Sequence, residues 1–194
     1  MTQYLNSMDN KWIASWSSKQ HQDKKKMMFD AVDSKINIAP KTILDIGCGL
    51  ASESKMFQQK YNSNLYLLDG DFNSTSDRSR DTNYGSSDSM AFYSKIDELK
   101  QSWDNRNLRY NFVDANDINI SSDVKFDLVY SFESCGFHYP VNTYAELIKK
   151  HSHKDTILVF DIRIKTYEEQ SNYFDVLKVI HTDKKFKTVS LRFK

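Results

Sequence analysis

The chain has 194 residues, of which 27 are basic and 26 acidic, so its formal net charge at pH 7 is +1. This length suits one domain with its own core, and the balanced charge provides no overall field that would attract nucleic acid or a membrane. The N-terminus lacks the apolar segment of a secretory signal, and no apolar run approaches the ~20 residues that span a bilayer. Cys48 and Cys135 lack the spacing of a metal site. We therefore expect a cytoplasmic protein with free thiols, no bound metal and no membrane partner.

The first predicted element is a helical segment over residues 9–36, in one piece or two. Trp12 and Trp16 lie one turn apart, and Met28 and Val32 repeat that spacing further along the chain. This periodicity predicts an amphipathic segment ahead of the first strand.

The first predicted strand, Thr42–Ile46, ends at the turn Gly47-Cys48-Gly49 and leads into a helical pattern over residues 51–60. The second strand, Leu65–Asp69, ends in an acid. An apolar strand that stops at Gly-x-Gly before a helix is typical of a nucleotide-binding α/β sheet. Glycine removes the Cβ that would hold a ligand away from the backbone. The carboxylate at the end of the second strand is suitably located to accept hydrogen bonds from ribose hydroxyls.

A long polar stretch, Gly70–Ser89, follows the second strand. Connections of this kind usually take about two to six residues, and longer ones are usually functional or disordered. Since this stretch leaves the edge of the sheet where ligands bind, we predict that Asn73–Ser89 is a lid over the acceptor. The later predicted elements are a helix over 89–103, strands Leu108–Val113 and Phe126–Ser131, a helix over 141–151, a strand Thr156–Asp161, a short turn over 167–171 and two hairpin strands over 173–180 and 186–193.

This order of elements, with Asp45 inside the first strand, resembles the class I (Rossmann-like) S-adenosylmethionine (SAM)-dependent methyltransferases over residues 39–194. The resemblance implies an α/β fold with a mostly parallel seven-stranded sheet, helices on both faces and a C-terminal antiparallel β-hairpin. It also implies one methyltransferase domain over residues 1–194, in which residues 1–38 form a helical cap over the cofactor or the acceptor, or simply pack on the sheet. A dinucleotide site is disfavoured because Ser52 replaces the third glycine of the nicotinamide fingerprint.

The resemblance implies that SAM is the cofactor and that it is bound by residues at the strand ends. Asp45, Gly47 and Gly49 would hold the methionine part, and Asp69 the ribose, with Asp71 as the competing ribose ligand. Asp45 is alternatively a buried structural carboxylate bonded to loop amides. The remaining predicted contacts are Asp114 at the adenine amino group, Ala115 along the adenine ring, and Ser131 and Phe132 near the methyl group.

The segment after the fourth strand, Ser131–Pro140, carries the candidate chemistry. It lacks the Asn/Asp-Pro-Pro-Tyr/Phe sequence of enzymes that methylate base amines or amides, and Cys135 follows Ser134 rather than the proline of cytosine-C5 enzymes. His138 is a base suited to neutral pH near the expected methyl position, and Glu133 is the second catalytic candidate. Either His138 removes a proton from a hydroxyl acceptor or it only bonds loop backbone, and the sequence leaves both open.

Two strings, Leu67–Asp71 and Cys135–Pro140, resemble more loosely the small bacterial and phage methyltransferases assigned to sugar O-methylation. That resemblance implies O-methylation of a small polar acceptor such as a sugar. The predicted acceptor-binding residues are Arg78, Arg80, Tyr84 and Tyr139.

Two alternatives remain. The acceptor is a nucleobase, nucleotide or RNA, reached through Arg78, Arg80 and Lys24–Lys26, although a solvated helix face is the simplest interpretation of the lysines. Otherwise the chain binds SAM without turnover, because the sequence does not fix a catalytic residue. No insertion has the size of a DNA target-recognition unit, so duplex DNA is not expected, and the oligomeric state is open. His151 and His153 are expected to be solvated surface residues away from the ligand edge.

Overall fold

The computed structural model describes residues 17–70 and 96–194. Within these ranges most of the strands are separated by helices, as the sequence predicts. The helices are α1 (Lys19–Ile36), α2 (Ser52–Tyr61), α3 (Ile96–Asn105), α4 (Ala145–His151) and α5 (Tyr167–Gln170). The strands are β1 (Thr42–Ile46), β2 (Asn64–Asp69), β3 (Tyr110–Asp114), β4 (Phe126–Ser131), β5 (Ser152–Arg163), β6 (Phe174–Thr182) and β7 (Phe186–Phe193). None of these helices is long and apolar enough to cross a membrane.

The seven strands form one sheet in the order β3-β2-β1-β4-β5-β7-β6. The first five strands of this order are parallel, whereas β7 is antiparallel to both β5 and β6. The predicted C-terminal hairpin is therefore confirmed, with its second strand inserted beside β5. The strand order reverses between β1 and β4, and ligands of open α/β sheets bind outside the carboxyl ends of the strands at such a point.

The core lies on both faces of the sheet because neighbouring residues of a strand point to opposite faces. Ile43 packs with α1, α2 and α3, whereas Leu44 packs with α4 on the other face. The described part of α3 packs on the sheet through one apolar face, on which Ile96, Leu99 and Trp103 are buried. Helices therefore cover both faces and leave the carboxyl edge between β1 and β4 as the place for a site.

The region around α4 differs from the sequence prediction. The predicted helix over 141–151 divides into a 3₁₀ turn and α4, and β5 begins directly afterwards at Ser152. His151 is 1% exposed, bonds the Val124 carbonyl through Nδ1 at 2.9 Å and packs on Phe126. The prediction of a solvated His151 is therefore wrong, because the last turn of α4 points it into the core. His153 is only half-buried and lies 3.1 Å from Asp127.

Candidate functional site

The Gly47–Gly49 loop joins β1 to α2 at the carboxyl edge of the sheet. Gly47 has a φ of +71° and donates its N–H to the Leu68 carbonyl at 2.7 Å. A Cβ on Gly47 would lie 1.8 Å from the Ser134 hydroxyl oxygen. Glycine is therefore required both by the left-handed backbone and by the close approach of the loop that follows β4.

Asp69 holds this glycine loop in place. Its Oδ2 accepts the Gly49 N–H at 2.9 Å and faces the Cys48 thiol at 3.8 Å, while its Oδ1 accepts the Gly70 N–H at 2.8 Å. Burial raises the pKa of Asp69 to about 6, although the backbone hydrogen bonds oppose that shift. Each carboxylate oxygen accepts two hydrogen bonds, so the ribose role predicted for Asp69 remains compatible with its bonds to the loop.

Helix α3 fixes the same loop from the other side. Trp103 donates its indole N–H to the Gly49 carbonyl at 2.9 Å, and the Arg106 guanidinium donates to the Leu50 carbonyl. The sequence indicated only an apolar role for Trp103 and gave no signal for Arg106. The loop amides and carbonyls are therefore positioned before any ligand binds.

Asp45 lies in a buried group of hydroxyls beneath the loop. Its Oδ2 accepts hydrogen bonds from Ser54 at 2.8 Å and from Tyr130 at 2.9 Å, and those two hydroxyls are 2.6 Å apart. Burial first, and then the nearby Glu53 carboxylate, raise the pKa of Asp45 to about 7. The partners are side-chain hydroxyls of α2 and β4 rather than the loop amides of the alternative interpretation. Asp45 therefore ties β1 to both neighbouring elements.

The predicted adenine contacts adjoin the predicted ribose ligand. Asp114 is paired in register with Asp69 across β2 and β3, and the Ala115 N–H donates to the Asp69 carbonyl at 2.9 Å. Oδ1 of Asp114 accepts the Asn116 N–H at 2.8 Å. The structure thus brings these three predicted residues together at one end of the sheet.

Ser131 and Phe132, the residues predicted near the methyl group, are both buried at the end of β4, and their contact with the cofactor stays a prediction. The Ser131 hydroxyl donates to the Ile46 carbonyl and accepts the Cys135 N–H, both at 2.8 Å, and its side chain is fully buried. Phe132 is 7% exposed and stacks on Tyr130 with ring centroids 4.7 Å apart. Both residues support the ends of β1 and β4 from below.

Glu133 connects the loop after β4 to helix α1. Its carboxylate lies 2.8 Å from the Lys24 ammonium and 3.8 Å from that of Lys25, and its backbone has a φ of +52°. Burial alone would raise the pKa of Glu133, but the two ammonium groups outweigh it and the pKa lies below its ordinary value. A carboxylate held in this way is a poor proton acceptor, which argues against the predicted catalytic role of Glu133.

Helix α1 reaches the site through Lys25, one of the three lysines of the predicted basic patch, and through Gln22, which the sequence did not single out. Lys25 also pairs with the buried Glu53 at 3.0 Å, and Gln22 donates to the Ser52 hydroxyl at 3.2 Å. Of the predicted solvated lysines only Lys26 is well exposed, pairing with Asp30. The solvated interpretation therefore fails for Lys25, whose side chain is 15% exposed.

His138 is half-buried next to the end of β5. Burial first, and then the positive charge of Arg163, lower the pKa of His138 to about 4, against an opposing effect of Glu133. The imidazole is therefore neutral at pH 7 and able to accept a proton. Tyr139 is half-buried as well, and its hydroxyl lies 3.0 Å from that of Ser134, beside Gly47.

Several predicted residues lie outside the described part of the chain and remain predictions. They are Trp12, Trp16, Asp71, Arg78, Arg80, Tyr84 and the lid Asn73–Ser89.

No protein-family model and no curated protein sequence matches this chain. Solved structures do. The PH0226 protein from Pyrococcus horikoshii OT3 has a TM-score of 0.65 at 10% identity, over 92% of this chain and 93% of that one. A methyltransferase from Pyrococcus furiosus has a TM-score of 0.57 at 12% identity, over 86% and 81%. The plantazolicin methyltransferase BpumL, solved with SAH, has a TM-score of 0.56 at 13% identity, over 84% of this chain and 56% of its own length.

The chain therefore has the class I methyltransferase fold, and the predicted fold class is confirmed. None of these three structures is named for a sugar acceptor. The looser resemblance to sugar O-methyltransferases consequently stays a prediction.

Proposed function

We propose that this protein is a SAM-dependent methyltransferase. The observation that carries the proposal is the Gly47–Gly49 loop, held by Asp69 at the point where the strand order reverses. Class I structures such as BpumL bind SAH, and ligands of open α/β sheets bind at this point of the sheet. The loop has the left-handed glycines and the strand-end carboxylate that an adenosyl ligand requires.

The charges around the loop fit SAM better than a dinucleotide. Three carboxylates lie close to the start of α2, namely Asp45, Glu53 and Asp69, all of them buried. Glu53 occupies the first turn of α2, where a dinucleotide-binding fold would receive a pyrophosphate. Carboxylates there repel phosphates and attract the ammonium and sulfonium groups of SAM. These residues would hold the methionine and ribose parts of the cofactor.

The acceptor side has residues suited to a hydroxyl. When bound, SAM supplies a methyl group on a sulfonium that needs little further activation, so the chain must mainly orient the acceptor and remove its proton. His138 is neutral at pH 7 and would receive that proton on a ring nitrogen. The hydroxyls of Ser134 and Tyr139, next to Gly47, would orient a polyhydroxylated molecule such as a sugar.

Binding of SAM without turnover is the second candidate function. It is favoured by two observations on the candidate bases. Glu133 is held by two lysines, and a histidine with a pKa of about 4 is only a weak base. A nucleobase or nucleotide acceptor remains a further alternative.

Calorimetric titration of the full chain with SAM, SAH and NAD⁺ tests the cofactor. We expect saturable binding of SAM and SAH, and no binding of NAD⁺. Formation of SAH from SAM in the presence of cell extract then separates the enzyme from a protein that only binds SAM. Loss of that activity after glycosidase treatment of the extract supports a saccharide acceptor, whereas loss after ribonuclease treatment supports RNA. NAD⁺ binding without a response to SAM overturns the proposal.

A further inference from the structure

The side of the site next to β5 holds an arginine without a counter-charge among the described residues. We infer that the acceptor carries a carboxylate or phosphate group and that Arg163 binds this oxyanion. The inference rests on the proposed function, because it names the substrate class of the same site.

Arg163 is located where an acceptor would enter. It is the last residue of β5, the strand beside β4, at the carboxyl edge of the sheet. Its antiparallel partner in β7 is Phe186, and directly opposed residues point to the same face of a sheet. Phe186 packs with Met28 of α1 and with Phe137, so Arg163 faces the space between α1 and the loop after β4.

The guanidinium of Arg163 is fixed in position and orientation. Its Nε donates to the Phe137 carbonyl at 2.7 Å, and its central carbon lies 3.9 Å above the centre of the Phe137 ring. A stacked, singly bonded guanidinium keeps its remaining donors in a rigid fork. The ordering cost of this long side chain is therefore met before a ligand arrives.

The fork has no partner within residues 17–70 and 96–194. There the Nη atoms make no hydrogen bond, and Arg163 forms no ion pair. The half-buried position lowers the pKa of Arg163 through desolvation. Leaving a half-buried charge unpaired is costly, and the nearby charged groups are paired, as Lys24 and Glu133 are with each other. A planar fork of two N–H donors matches the two oxygens of a carboxylate or phosphate.

An oxyanion on Arg163 would also alter the candidate base. After burial, the charge of Arg163 lowers the pKa of the His138 imidazole, and the carboxylate of Glu133 raises it. A bound anion offsets the arginine and moves the histidine back toward its ordinary basicity.

The test titrates the full chain at pH 6.5 with inorganic phosphate or acetate, against sodium chloride of equal ionic strength. The His138 ring signals are followed by NMR. We expect phosphate and acetate to shift these signals saturably, and chloride not to do so. Arg163→Met should weaken the binding at least tenfold and Arg163→Lys by less. The matched control, Arg192→Met, removes an exposed arginine at the other end of β7 and should bind as the wild type does.

The relative affinities identify the source of the anion. Tighter binding of phosphate points to a phosphate ester, and tighter binding of acetate to a carboxylate. Identical behaviour of all three salts, or unchanged binding by Arg163→Met, overturns the inference. Circular dichroism shows that each variant is folded, and SAH titration of each variant tests the proposed function separately. If the chain binds the anions but not SAH, the arginine site stands and the proposed methyltransferase function is refuted. If it binds SAH but not the anions, the methyltransferase function stands and the arginine site is refuted.

Discussion

The two halves of the carboxyl edge are built differently. On the β1–β2 side, the glycine loop is bonded by Asp69, Trp103 and Arg106. On the β4–β5 side, Glu133 has a strained left-handed backbone and Arg163 lacks a counter-charge among the described residues. A rigid loop whose polar groups are hydrogen-bonded suits a ligand that is the same in every turnover. Guanidinium N–H donors without a partner among the described residues suit a charged group that arrives with the second substrate. Under the proposed function, this difference favours the cofactor on the β1–β2 side and the acceptor on the β4–β5 side.

Removing the candidate base should have the largest effect and acts only on the acceptor side. We expect His138→Ala to lower turnover about 10²–10⁴-fold while SAH affinity stays unchanged. At saturating SAM, the wild-type kcat/KM for the acceptor, which reports the enzyme before the acceptor binds, should be flat from pH 5 to 7 and fall only near pH 4, where His138 becomes protonated. Steady-state kinetics and the pH profile of kcat/KM measure both effects. An unchanged rate would leave orientation of the acceptor as the source of catalysis, and an inflection of this kcat/KM near pH 6.5 would contradict the lowered pKa.

Gly47 lies against Ser134 where the two halves of the carboxyl edge meet, and a larger residue at position 47 tests how close that approach is. In Gly47→Ala the new Cβ meets the Ser134 hydroxyl, and the φ of +71° is unfavourable for any L-residue. The backbone strain and the overpacking together should lower the free energy of unfolding by about 2–5 kcal/mol. Chemical denaturation measures the loss. Adding Ser134→Gly to Gly47→Ala should recover only the part of the lost free energy of unfolding that comes from overpacking. A double variant no more stable than Gly47→Ala would show that the contact with Ser134 is not the cause.

The cofactor side is tested by Asp69→Ala. We expect SAM and SAH binding to weaken by about 1.5–3 kcal/mol, because hydrogen bonds to a charged group are lost. Since the carboxylate is the binding form and its pKa is about 6, wild-type affinity should decrease as the pH falls through 6. Calorimetry at pH 5 and pH 7.5 measures this dependence. The exposed Asp155→Ala is the control, and an equal loss in both variants would count against a role for Asp69.

The smallest expected effect is on stability. Burial raises the pKa of both Asp45 and Asp161 to about 7, so the folded chain holds protons that the unfolded chain has released above pH 4. Their favourable contribution is present in acid and is lost as the pH rises to about 7. The lowered pKa of His138 acts in the opposite direction below pH 6.5, but it is one group against the two aspartates. Thermal unfolding should therefore show a stability about 1 kcal/mol higher at pH 6.5 than at pH 8, and Asp161→Asn should flatten the profile.

The sequence predicts the strands whose residues follow a regular apolar pattern. Strands β1 and β4 have the predicted bounds, because buried parallel strands are continuous apolar runs. The alternation of Val189, Ser190 and Leu191 also located the hairpin correctly. These signals are local, and each was read from a few neighbouring residues.

The contacts that build the site could not be predicted in this way. Lys24 and Glu133 are 109 positions apart, and Trp103 and Gly49 are 54 apart. Nothing in the local pattern of α1 distinguishes Lys25, which turns inward, from a solvated lysine. Such pairs depend on how whole elements pack, which a one-dimensional pattern does not contain.

The hydrogen bond from the Ser131 hydroxyl to the Ile46 carbonyl joins residues 85 positions apart, and it has a kinetic consequence. Closing so large a loop is entropically costly, so pairing of β1 with β4 is expected late in folding. The Ser134 side chain that lies against Gly47 reaches its place only when those strand ends meet. A ligand bound there would recognise the folded chain in preference to the unfolded one, so the ligand concentration would raise the stability of the folded state.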